Sequence, residues 1–311
     1  MHEHVDVMAA AEVTVANGAP PSRWFRDLLS CIRFDEVLVL QGAPLLGAVC
    51  GIEKITGEGV TALLAFAAGS CLLVAHIFVF NDWSGMHADL RDPHRATPVF
   101  TTRRIRRTDV RNLSIGLLAM SLLVLLPYGP RTLGIALVIT GLSALYSAPW
   151  SQMKGRPLVS SALHLSGGFF HFLLGYSVFR HIDRRGLAIA CCVGLIFTAG
   201  HLTHEVRDAD SDRRSGIRTN AVAFGTFRSF VAGLLLFALA DFLLAGLGVA
   251  RMLPQPVMLV AALYLLHLYW SLQALREGLT FRAVRSLQIR YRVLYAAIGI
   301  LVSLSVLLTN R

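Results

Sequence analysis

Stretches free of Asp, Glu, Lys and Arg recur along the chain, separated by shorter polar segments. Crossing about 30 Å of hydrocarbon takes about 20 helical residues, fewer where flanking side chains snorkel. Nine stretches meet that measure: Val37 to Ile52, Val60 to Phe80, Asn112 to Pro130, Thr132 to Met153, Pro157 to Phe179, Gly186 to Thr203, Ser229 to Ala250, Met252 to Leu275 and Val293 to Asn310, the seventh broken only by Asp241. In lipid no water satisfies backbone groups, so such runs must be helices. The pattern predicts an all-α polytopic membrane protein with nine transmembrane helices. Residues 1–35 read as a separate N-terminal segment, mixed and in places acidic, unlike a secretory signal. Within it Trp24, Phe25, Leu28 and Leu29 suggest a short interfacial helix, and residues 36–311 form the transmembrane domain.

Composition agrees. A chain of 311 residues would suggest two soluble domains, but 55% of its residues are hydrophobic and only 15% charged, against roughly 25% charged in soluble domains. The net charge of +10 raises the question of nucleic acid. The distribution of the charge answers it. With alternating loops, 22 of the 29 basic residues fall in the N-terminal segment and the loops after spans two, four, six and eight, and seven fall on the other side. That asymmetry places the N-terminus and the even-numbered loops in the cytoplasm, at the cell (inner) membrane, and leaves no nucleic-acid footprint. Five cysteines without a CxxC pair exclude a disulfide framework and a thiolate metal motif.

The cytoplasmic loops carry the chemistry. After span two the chain reads Asn81-Asp82-Trp83-Ser84-Gly85-Met86-His87-Ala88-Asp89-Leu90-Arg91-Asp92-Pro93. If the helix continues, Asp82 and Asp89 lie about 20° apart on one face, with Asp92 a turn later before Pro93 ends the helix. After span six, Glu205, Asp208 and Asp212 stack into one acidic stripe. Like charges at that spacing repel, so a bound divalent cation is the economical expectation, and oxygen-only donors point to Mg²⁺ or Mn²⁺. Arg91, Arg95, Lys154, Arg213, Arg214 and Arg218 share these loops. Acidic clusters flanked by cations are what a diphosphate site requires.

These residues resemble the motifs of the UbiA superfamily of intramembrane prenyltransferases, from about Arg23 to the end of the chain. Its first motif, NDxxDxxxD, reads here Asn81-Asp82-x-x-Gly85-x-x-x-Asp89, followed by Asp92-Pro93-His94-Arg95. The second matches Asp208, Asp212, Arg213, Gly216 and Thr219 and ends at Gly225; Tyr146-Ser147-Ala148-Pro149 and Lys154-Gly155 match a segment between them. The resemblance implies nine helices around a central cavity. It also implies Mg²⁺ held by Asp82, Asp89, Asp208 and Asp212, with Asn81 orienting an isoprenoid diphosphate, and Arg95, Lys154, Arg213 and Tyr146 binding that diphosphate. A lipid-soluble acceptor, commonly aromatic, would enter from the membrane lipid. Gly85 replaces the motif's middle aspartate, and Asp82 or Asp92 is expected to compensate, Asp82 by its place on the helix face.

For walls around an allylic cation the candidates are Phe169, Phe170, Phe172 and Tyr176, about half of which should instead face lipid or other helices. His201-x-x-His204-Glu205 is not the HExxH of zinc proteases. Haem on His164, His171, His76 or His267 would leave the acidic loops unexplained. Asp241, the lone acid within a span, suggests an acceptor-binding or proton-relay group, or a hydrogen bond between helices. The main expectation is Mg²⁺-dependent prenyl transfer to a hydrophobic acceptor. Cyclisation of the diphosphate without an acceptor, in the same fold, and a transporter with acidic gates are the alternatives; the transporter would call for half-to-half similarity, which the chain does not show.

Overall fold

The structure, a computed structural model, describes residues 26–89, 105–148, 150–151 and 153–309, the side chains of 87–89 excepted. Every regular element among the described residues is helical. In chain order they are α1 (Phe34–Leu40), α2 (Gly42–Gly51), α3 (Gly57–Asp89), α4 (Arg107–Leu125), α5 (Gly129–Ser147), α6 (Val159–Phe179), α7 (Arg184–Arg214), α8 (Asn220–Phe224), α9 (Thr226–Val249), α10 (Val260–Arg276) and α11 (Phe281–Thr309).

The protein is a polytopic all-α membrane protein, but nine spans are not confirmed as a count. By length and composition, seven helices among the described residues can cross a membrane, or up to eight if the bent pair Arg26–Leu40 and Gly42–Gly51, which contains α1 and α2, is one span. The first sequence stretch is that pair, bent by 42°. Pro44 has no N–H to give the Leu40 carbonyl and its ring would strike it, so one continuous helix through Gln41 is excluded. Arg107–Ser147 is apolar along one continuous 41-residue stretch. Contacts with α3 show it folding back. Arg107 lies over the Trp83 ring and Ser147 bonds Asn81 at one end of α3, whereas the Tyr128 hydroxyl donates to the Ala62 carbonyl at the other. The reversal falls at Leu126–Gly129, where Gly129 has φ of 87° and Pro127 and Pro130 flank the turn.

The longest packing seams join α3 to α4, α6 to α7, α7 to α9 and α2 to α6. At the last, glycines set the spacing: a Cβ on Gly47 would lie 2.0 Å from the Phe172 carbonyl oxygen, and one on Gly175 1.8 Å from that of Pro44. Small residues allow such backbone approach in a membrane, where hydrophobic force between helices is weak. Leu28, Cys31 and Ile32, from the expected N-terminal segment, are buried with Val74, Val79 and Val110 of α3 and α4. The ends of the helices define two faces. One carries Arg33, Asn81, Ser147, Glu205 and Asn220. On the other, Arg180 reaches Glu53 at 2.6 Å and the Asp183 carboxylate caps α7 through the Gly186 N–H.

Candidate active site

On the first face, α3 meets α1 and α5. The Arg33 guanidinium lies 2.5 Å from Asp82 Oδ1, with the carboxylate almost wholly buried. Asn81 Oδ1 accepts from the Ser147 hydroxyl at 3.0 Å, and the Ser84 hydroxyl donates to the Ser147 carbonyl. The first motif is thereby tied to the Tyr146-Ser147 segment. Asp82 has a cationic partner that the sequence reading did not find, and its expected role of compensating Gly85 at a metal must be weighed against that pair. The α3 helix does continue through Asp89. The Asp89 side chain, and Arg91, Asp92, Pro93, His94 and Arg95 entirely, lie outside the described residues.

The acidic stripe on α7 resolves into three environments. Glu205 and Asp212, seven residues apart, are buried and share the surroundings of the Tyr146 ring. Asp208 sits at the stripe's edge and is gripped by Arg207 through two bonds of 2.7 Å, while Arg207 also donates to Gln288 Oε1 of α11 at 2.8 Å. Arg213 turns outward to Asp210 at 3.1 Å and is largely exposed. The repulsion that suggested a cation is relieved in part by the protein itself.

Glu205 is the hub of this face. Its Oε2 accepts from the backbone N–H and the side-chain amide of Asn220, both at 2.9 Å, and its Oε1 from the Ser160 hydroxyl at 3.3 Å. Asn220 Oδ1 in turn accepts from the Leu158 N–H at 2.8 Å. Leu158 has φ of 64°, and the Val159 N–H reaches back to the Pro157 carbonyl at 2.8 Å. That is the strained form of the γ-turn, held by a side chain from the far side of α7. Lys154 lies just upstream on the turn Met153–Gly155, and a Cβ on Gly155 would come within 3.8 Å of the Arg218 nitrogen. The loops before α6 and after α7 are therefore neighbours, as the paired motifs require.

The histidines occupy the space between α6 and α7. His201 Nε2 lies 2.9 Å from Glu205 Oε1, without the alignment of a hydrogen bond. Its ring stacks on His164, and Tyr146 meets the His164 edge. His204 Nε2 lies 3.1 Å from Arg292 on α11. Two of the four aromatic candidates pack against other helices, as expected for about half of them. Phe172 and Tyr176 are fully buried in the helix core, and the Tyr176 hydroxyl donates to Asp183 on the opposite face. Asp241 accepts from the Tyr295 hydroxyl at 3.0 Å among Phe237, His267 and Tyr291, a bond between helices away from the acidic face. An open recess of about 600 Å³ near Glu58 and Tyr128 belongs to the opposite face and holds none of the candidate residues.

Among the described residues no three His, Cys, Asp or Glu side chains converge as a ready metal cage. Mg²⁺ does not need one, since it commonly takes one or two carboxylates and completes its shell with water and substrate phosphate. Asp208 and Asp212, one turn apart with oxygen donors only, fit that manner of binding.

The profile of the UbiA prenyltransferase family matches residues 45–307. Among solved structures, a UbiA homologue from Archaeoglobus fulgidus bound to DMAPP and Mg²⁺ aligns with a TM-score of 0.71 at 17% identity, covering 92% of this chain and 99% of that one. A structure concerned with digeranylgeranylglyceryl phosphate synthase gives 0.69 at 16% identity, with 91% and 99% covered. The apo form of a UbiA homologue from Aeropyrum pernix K1 gives 0.63 at 16%, with 89% and 99% covered. Comparison with curated proteins gives no match. Identities this low carry the fold alone; the profile, spanning most of the chain, carries the membership, and the chain belongs to the UbiA prenyltransferase family.

Proposed function

We propose that this protein transfers a prenyl group from an isoprenoid diphosphate to a hydrophobic acceptor of the aromatic class within the membrane, with Mg²⁺ or Mn²⁺ as cofactor. The observation that carries the reading is the meeting of both aspartate motifs, the Tyr146-Ser147 segment and the Lys154 turn on one face of a UbiA-family bundle. Relatives of the same fold bound to DMAPP or GPP with Mg²⁺ support the donor class.

In this reading Asp89, Asp208 and Asp212 hold the metal. When bound, it neutralises the diphosphate and so favours departure of the leaving group. Lys154 and Tyr146 line the same end and bind the diphosphate, and Asn81, fixed by Ser147, orients it. Asp82, paired with Arg33, serves better to bring that guanidinium toward the diphosphate than as a metal ligand. Arg95 is assigned by its motif position alone, and Arg213 contributes only after leaving Asp210. The orientation that fits the basic loops puts this face in the cytoplasm.

The test uses purified protein in detergent with Mg²⁺ and ten- to twenty-carbon allylic diphosphates, with and without aromatic acceptors. An Asp208→Asn, Asp212→Asn double variant serves as the blank. Diphosphate release that requires the carboxylates and an acceptor supports the transfer. Release without an acceptor, yielding a hydrocarbon or alcohol, would replace it with cyclisation or hydrolysis.

A further inference from the structure

The histidine array between α6 and α7 has no part in donor binding as described. His164 and His201 are parallel within 8°, their ring centroids 3.6 Å apart, and Tyr146 closes edge-on against His164 at 4.9 Å. His164 Nδ1 lies 2.9 Å from the Ser160 carbonyl oxygen on its own helix. A carbonyl only accepts, so Nδ1 carries the proton and the lone pair of the neutral ring is on Nε2. With Nδ1 turned back to the α6 backbone, Nε2 points away from it. Facing His164 are Tyr146 of α5, His201 and His204 of α7, and Lys154 of the preceding turn, and Glu205 and Asp212 share the surroundings of Tyr146. The stack can hold one added proton but not two, since parallel cationic rings repel. Glu205, held by Asn220 and Ser160, supplies the negative charge that offsets that one.

We propose that His164 is the general base of the coupling step, receiving the proton that the acceptor loses as it bonds to the prenyl carbon. This rests on the prenyl-transfer reading. The allylic C–O bond breaks and its electron pair leaves with the diphosphate. An electron pair of the acceptor forms the new bond to the prenyl carbon. The acceptor's proton passes to His164 Nε2, the pair that held it stays with the acceptor, and the imidazolium returns the proton to water as product leaves. The acceptor class is one that must shed hydrogen on coupling, an activated aromatic ring or a hydroxyl.

The test compares wild-type protein with His164→Asn and His164→Gln at saturating donor and Mg²⁺ from acid to neutral pH. Asparagine keeps an amide N–H where Nδ1–H stood, preserving the bond to the Ser160 carbonyl without a base. Both variants are expected to lose about 10²- to 10⁴-fold in kcat for transfer and the rise of rate with pH on the acid limb. Mg²⁺-dependent binding of a non-ionising thiolodiphosphate donor analogue stays within about twofold, on the same principle that a base acts after the donor is bound. If either variant keeps the wild-type kcat and acid limb, the proton goes to the departing diphosphate or to water and the proposal is overturned. Loss of analogue binding in both variants overturns it too, assigning His164 to the donor site or the fold. Wild-type protein that transfers no prenyl group from any donor brings down the transfer reading itself, a failure seen before any substitution is made.

Discussion

Replacing Asn220 tests whether the hub around Glu205 holds the active face together. Asn220→Ala removes the amide bond to the Glu205 carboxylate at 2.9 Å, the bond to the Ser161 hydroxyl at 3.1 Å and the acceptor of the Leu158 N–H at 2.8 Å. One charge-assisted bond at about 1.5–3 kcal/mol and two neutral ones at about 0.5–1.5 each give a loss of about 2.5–6 kcal/mol. That is a large share of the roughly 5–15 kcal/mol that stabilises a typical fold. Asn220→Asp separates charge from shape. It keeps the acceptor for Leu158 but sets a carboxylate against that of Glu205. At neutral pH it should therefore cost more than the alanine, and its deficit relative to wild type should shrink as the pH falls and the two carboxylates come to share a proton. Thermal unfolding in detergent, followed by circular dichroism, reads both variants; at about 2–4 °C per kcal/mol the alanine should lower Tm by at least about 5 °C. An aspartate variant as stable as wild type at pH 7, or an alanine variant within about 0.5 kcal/mol of it, would refute the reasoning.

Three further outcomes follow from the same geometry. Gly175→Ala must open the α2–α6 seam, because its Cβ would lie 1.8 Å from the Pro44 oxygen; a loss of about 2 kcal/mol or more is expected in detergent unfolding, while Gly134→Ala, with open space around it, serves as the tolerated control. At the opposite end, burial pushes the Asp183 carboxyl up, but the Gly186 N–H, the Tyr176 hydroxyl and Arg180 outweigh it and hold the group below its ordinary value. Its stabilising contribution is therefore full above the unfolded value near 4 and is lost as pH falls through the lowered folded value, so the cost of Asp183→Ala, about 1 kcal/mol as an N-cap, should be constant from neutral pH down to about 5 and vanish in strong acid. Gly85→Asp restores a carboxylate to the first motif and should lower the Mg²⁺ concentration for half-maximal turnover by about three- to tenfold, since affinity follows ligand charge count; an unchanged Mg²⁺ requirement would separate position 85 from the metal.

Periodicity made the faces legible and left their partners hidden. The 3.6-residue repeat stacked Glu205, Asp208 and Asp212 into one acidic stripe, and the structure buries Glu205 and Asp212 but turns Asp208 to Arg207. The break in the first stretch was also written in the sequence, at Pro44, but an apolar run counted by length alone passes over it. Arg33 and Asn220 could not be found this way. Arg33 meets Asp82 across 49 residues and Asn220 meets Ser161 across 59, and no local pattern encodes such distances. Which two of the four aromatic candidates pack against helices was hidden for a related reason: an aromatic run on a helix is the same in sequence whether it lines a cavity or packs a seam, and only the glycines opposite reveal the seam.

The partners also fix where a cation is welcome. Asp82 faces the Arg33 guanidinium, and Asp208 must loosen its Arg207 pair to hold a metal. Glu205 differs, because Asn220 and Ser160 are neutral donors that leave its charge in place, and His201, 2.9 Å away, adds a positive charge only when protonated. Seven residues along the helix separate it from Asp212, on the order of 10 Å, close enough for its field to act on a metal held there. At an effective dielectric of about 20 the interaction is about 1.6 kcal/mol per unit of cation charge. Glu205→Gln should therefore keep the fold, since an amide can still accept from Asn220, yet raise the Mg²⁺ concentration for half-maximal diphosphate release by at least about tenfold. Titrating Mg²⁺ against release by the folded variant reads this directly. A midpoint within about twofold of wild type would mean that the charge is screened, and Glu205 would then be a structural staple alone.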